Sequence, residues 1–87
     1  MTHRTKDEIF IIKLYEEAMK QSEIDDPLDR YKIGDLAGLQ QRGVDAICNL
    51  LIRSNFIKKK GENEIYITPH GEKLARSLIT DASGKSS

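Results

Sequence analysis

Apolar and polar positions along the chain alternate in a way that predicts four helical stretches and one hairpin. Thr5 followed by Glu8 is the signature of a capping box, and a helical pattern runs from there to near Ser22. At 100° per residue, Phe10, Ile11, Ile12, Leu14, Tyr15, Ala18 and Met19 spread over roughly 200° of this helix, whereas a single packing face needs only about 100°. Lys6, Lys13, Glu16, Glu17 and Lys20 form the remaining polar strip. Two arrangements account for so wide an arc. Either the helix runs through the middle of a small domain, or its second side meets another chain. The second arrangement predicts a homodimer joined through Phe10, Ile11, Leu14, Tyr15 and Ala18, since an uncovered patch of that size is rare on a soluble monomer.

The periodicity breaks at Glu23-Ile24-Asp25-Asp26-Pro27-Leu28-Asp29, which reads as a loop. Its carboxylates lack the glycine and the spaced oxygen ligands of a calcium loop, so they are expected to be solvated. Tyr31-Lys32-Ile33 reads as a short extended segment, Gly34-Asp35-Leu36-Ala37 as a short helix, and Gly38-Leu39 as a turn. Gln40 to Ser54 is a second strong helical pattern with Val44, Ile47, Cys48 and Leu51 on one stripe. Phe56 to Lys60 and Ile65 to Ile67 read as two strands around a turn at residues 61–64. Thr68-Pro69 then supplies an N-cap and a first helical proline, and Leu74, Ala75, Leu78 and Ile79 give a last helix one apolar stripe wide. Residues 1–79 are thus expected to form one domain, and residues 80–87, small and polar, a disordered tail.

Composition refines this picture at a few points. The chain has 87 residues, enough for one core, and its net charge is zero. The charge is unevenly placed. Residues 1–29 hold four basic and eight acidic side chains, and residues 30–79 hold nine basic and five acidic ones. Only the second region is a candidate surface for a polyanion. Cys48 stands alone, which excludes a disulfide framework, and it falls on a core stripe as an inert buried thiol. His3 and His70 lie far apart without ligand spacing, so no metal site is expected. Gly84-Lys85-Ser86 lacks the earlier glycine of a phosphate-binding loop, as Ile79 stands there instead. No nucleophile, base and orienting group can be assembled, so no enzyme and no cofactor are expected. With no signal peptide and no apolar run near eighteen residues, the chain reads as a cytoplasmic, soluble protein that does not engage membranes.

The residues Ile33-Gly34-Asp35-Leu36-Ala37, the glycine turn, Val44 and Leu51 at core spacing, Asn55-Phe56-Ile57, and the run Ile67-Thr68-Pro69-His70-Gly71-Glu72-Lys73-Leu74 together resemble MarR-type winged-helix regulators. The likeness covers about half the chain, from Ile33 to Leu78. It implies an α+β fold, mainly α, a winged helix-turn-helix with a wing sheet of two or three strands. Two features depart from the family. The sequence has no counterpart of the long dimerisation helices, and Asn55 replaces the usual glycine, though Asn also tolerates the left-handed conformation required there.

On that resemblance the Gln40–Ser54 helix is the recognition helix in a major groove. Its outer side carries Arg42, Asp45, Ala46, Asn49, Leu50 and Arg53, with Gln40 and Gln41 at its start. Gln and Asn can pair with adenine and Arg with guanine, while Asp45 repels phosphate unless it accepts from a cytosine amine. Lys58, Lys59 and Lys60 on the wing are placed to neutralise phosphates, although lysines also protect exposed strand edges. The expected function is a DNA-binding transcriptional regulator acting on double-stranded DNA as a homodimer. The alternative is a winged-helix module for protein–protein interaction, favoured by Asp45, Leu50 and the neutral net charge. Single-strand binding is disfavoured, since Tyr31 and Tyr66 are the only stacking candidates.

Overall fold

The capping box starts the first helix, α1 (Lys6–Ala18): the Glu8 amide donates to the Thr5 hydroxyl at 3.3 Å, and the Thr5 amide donates to the Glu8 carboxylate at 3.0 Å. The computed structural model describes residues 4–82. The helix closes at Ala18, short of Ser22, because the amides of Lys20 and Gln21 bond three residues back and tighten the chain into turns.

The segment around residue 30 differs from its reading in the sequence. A two-residue strand, β1 (Leu28–Asp29), lies within the expected loop, and Tyr31–Ile33 is helical, part of α2 (Arg30–Leu36). Asp29 is the cause. Its carboxylate accepts from the Tyr31 amide at 2.9 Å and so caps a helix that begins well before Gly34. Gly34 allows α2 to lie close against α3 (Gln41–Arg53), since a Cβ there would collide with the Val44 side chain. Asn55 takes the left-handed conformation at φ 67° and turns the chain out of α3 into β2 (Ile57–Lys60).

β2 pairs antiparallel with β3 (Glu64–Ile67), setting Ile57 opposite Ile67 and Lys59 opposite Ile65, with residues 61–63 as the turn. β1 pairs with the other edge of β3 through Leu28 and Ile65, giving three strands in the order β1-β3-β2. Thr68 then starts α4 (Pro69–Ala82): its hydroxyl accepts from the Gly71 amide at 3.0 Å and donates to the Asn55 carbonyl at 2.7 Å, tying helix to hairpin. α4 passes the expected end near Ile79 and reaches Ala82, so the boundary of a tail at residue 80 does not hold. Residues 83–87, with Gly84-Lys85-Ser86, lie outside the described residues, as does His3.

α1 runs through the middle of the domain, with α4 on one side and α2, α3 and β3 on the other. This arrangement covers the arc up to Ala18 and leaves Met19 at its end exposed. Phe10, Ile11 and Leu14 are fully buried and Ala18 nearly so, all inside a single chain. Tyr15 is half-buried, and its hydroxyl accepts from Arg76 Nε on α4 at 3.2 Å. Phe10, Ile11, Leu14 and Ala18, expected on a homodimer interface, are instead core residues of this chain, and Tyr15 is only partly exposed, so these side chains do not form an open face for a second copy.

Candidate nucleic-acid interface

α3 has two distinct sides. Val44, Ile47, Cys48 and Leu51 are buried, and Val44 is fixed by the glycine-permitted contact with α2. On the opposite side Arg42, Asp45, Ala46, Asn49, Leu50 and Arg53 are exposed, and Gln40 and Gln41 are exposed at the start. Gln40 occupies the N-cap position, yet its side chain makes no capping bond. Among the described residues, the side chains of Gln40, Gln41, Arg42, Asn49 and Arg53 have no hydrogen bond or ion pair within the chain. Arginine and asparagine side chains therefore share one face, with two glutamines at its start, and their donors and acceptors are unengaged.

Asp45 is different. Its Oδ1 accepts from the Tyr31 hydroxyl at 2.8 Å and lies 3.4 Å from Arg30 Nη1. The hydrogen bond to Asp45 pushes the Tyr31 phenol above its ordinary range. Arg30 itself is buried, and its guanidinium also donates to the backbone carbonyls of Glu62 at 3.2 Å and Asn63 at 3.4 Å. One buried arginine thus joins the start of α2, the outer flank of α3 and the turn of the hairpin. The acid expected among the groove contacts is turned toward neighbours in its own chain, and these offset part of its charge. Nothing in the sequence marked Arg30, because it lies between a segment that reads as a loop and one that reads as extended, and its partners are distant in the chain.

The hairpin divides its lysines. Side chains along a strand alternate between faces, so Lys59 shares the side of Ile57 and Ile65, which carries α3, while Lys58 and Lys60 project from the other. Lys60 stands directly opposite Glu64, and Lys58 lines a cleft of about 620 Å³ together with Glu23, Asp25 and Glu72. Exposed as all three are, they do not form a single cationic patch.

The other candidate groups lie apart from this face. Cys48 is fully buried, and burial pushes its thiol up to about 11, so it stays protonated and shielded at neutral pH. His70 stacks on Phe56 with ring centroids 4.6 Å apart and planes 7° from parallel. Among the described residues no group of three His, Cys, Asp or Glu side chains could hold a metal ion, and no helix is long and apolar enough to cross a membrane.

No family model and no curated protein matches the sequence. Solved structures do. The chain is similar to SSV1 F-93, with a TM-score of 0.70 and 19% identity over 95% of this chain and 87% of that one. It is similar also to NMB1585, a MarR family regulator from Neisseria meningitidis, with a TM-score of 0.61 and 22% identity over 87% of this chain and 54% of that one. The chain thus spans about half the length of NMB1585. At these identities the likeness establishes the fold: this is a winged helix-turn-helix of four helices and a three-stranded sheet, with α3 as the second helix of the helix-turn-helix and β2–β3 as the wing hairpin.

Proposed function

We propose that the protein binds double-stranded DNA as a transcriptional regulator, with α3 in the major groove and the wing against the phosphate backbone. One observation carries this reading. Arg42, Asn49 and Arg53 lie on a single exposed face of α3, with Gln40 and Gln41 exposed at its start, and none of the five side chains has a partner among the described residues. Arg42 and Asn49 are the base readers, pairing with guanine and adenine edges respectively. Arg53 and Lys59 supply phosphate contacts, which position the protein without reading sequence. Asp45 acts inside this interface as a positioning residue through Arg30 and Tyr31.

Leu50 favours a second reading, in which the same face binds a protein, because it is 47% exposed where a polar side chain would suffice. Selection from a library of random duplexes separates the two. The DNA reading expects an enriched site, with Arg42→Ala and Asn49→Ala each relaxing preference at one position by about 1–3 kcal/mol. Recovery of no enriched site would leave the protein-interaction reading in its place.

A further inference from the structure

We propose that Ala46 and Leu50 read the 5-methyl groups of thymine, making them specificity-determining residues of α3. The inference rests on the DNA-binding reading above and adds a base to it. Leu50 is 47% exposed, one of three large apolar side chains so exposed among the described residues, with Met19 and Leu36. It belongs neither to the core cluster nor to the apolar residues packed around that cluster. Ala46, one turn earlier, is also exposed. Residues four apart on a helix stack on one side, so the two form a short apolar strip. At 3.6 residues per turn, Ala46 lies about 40° and Leu50 about 80° around the helix from Arg42, while Asn49 and Arg53 lie within about 20° of it. The strip therefore runs beside the base-reading groups. Asp45 occupies the opposite flank and is turned toward Arg30 and Tyr31, away from the strip.

The chemistry of the groove supplies the complement. Base edges in the major groove present hydrogen-bond donors and acceptors, and the thymine methyl is the apolar group among them. Asn49, which can pair with adenine, sits where an adjacent thymine would bring its methyl against Ala46 or Leu50. The strip thus predicts a site containing thymine at the positions next to those read by Arg42 and Asn49.

Replacing thymine by deoxyuridine removes the methyl and leaves every hydrogen-bonding group in place. The probe is the tightest duplex recovered by selection from a random library, together with copies carrying one thymine replaced at a time. Fluorescence anisotropy on the full chain should show wild type weakened about fourfold at one or two positions, as expected from the burial of one methyl. Leu50→Ala should bind the thymine and deoxyuridine forms alike at one of those positions. Leu50→Met should keep the difference, and so should Met19→Ala on the surface of the α1 end. Circular dichroism checks that the variants fold, and if Leu50→Ala does not, the wild-type deoxyuridine series decides alone. Equal wild-type affinity for all replaced duplexes, with salt-dependent binding intact, would overturn the inference and leave the DNA reading standing. Absence of binding to any duplex at low salt would overturn both.

Discussion

Arg30 shows how one side chain sets the geometry of a surface it does not belong to. It is 6% exposed and reaches the Glu62 and Asn63 carbonyls as well as Asp45. Hydrogen bonds from a charged donor are stronger than neutral ones, and truncation would take the guanidinium from the Glu62 carbonyl while leaving the Asn63 carbonyl the Arg30 backbone amide at 3.0 Å. Arg30→Ala should therefore cost about 2 kcal/mol of stability in urea melts and weaken duplex binding by loosening the wing relative to α3. Asp45→Asn should behave differently. Its carboxylate is 54% exposed, so the ion pair is screened by water and its loss should cost below about 1 kcal/mol. Removing a negative charge from the groove face should tighten duplex binding, and the Tyr31 phenol, released from the Asp45 carboxylate, should titrate at lower pH by ultraviolet absorbance. An Asp45→Asn variant that binds duplex more weakly than wild type would mean that the carboxylate supports the interface, through Arg30 and Tyr31 or by touching a base itself.

At the scale of elements, the ones with strong local signals were legible in the sequence. The capping box of α1, the stripe of α3, the left-handed Asn55 and the Thr68-Pro69 start of α4 all stand where their residues place them. β1 and the onset of α2 were not. A two-residue strand has no periodicity, and it exists because β3 offers a free edge to Leu28 and Asp29. The exposed faces of α3 and the wing were legible as lists of residues, whereas the turning of Asp45 and the division of the lysines depend on contacts between distant segments. That division sharpens one expectation. Lys59→Ala should lower the dependence of log affinity on log salt by about 0.9, while Lys58→Ala, beside Glu23, Asp25 and Glu72, should leave it nearly unchanged. Equal effects would mean that the hairpin meets phosphate with both faces. The arc of α1 posed the converse difficulty: its width was plain, but only packing decides between an interior helix and an interface. Phe10→Ala should cost about 3–5 kcal/mol of stability in denaturant melts, the penalty of a core cavity. Its mass by sedimentation equilibrium should match that of wild type. A change in assembly with stability preserved would return Phe10 to an interface.

The whole molecule carries no net charge, so the DNA binding proposed above requires attraction that comes from how the charge is arranged. The acidic excess before Arg30 belongs to α1 and the loop after it, and the basic excess belongs to the segment that forms α2, α3, the wing and α4. Such a molecule should bind duplex through a small number of phosphate contacts and lose affinity only modestly as salt rises. Titration of the full chain into fluorescent duplex of random sequence, across low to moderate salt, tests this most directly. The account predicts binding at low salt with log affinity falling linearly against log salt, at a slope of about 0.9 for each phosphate neutralised. No binding at the lowest salt, or affinity indifferent to salt, would contradict it.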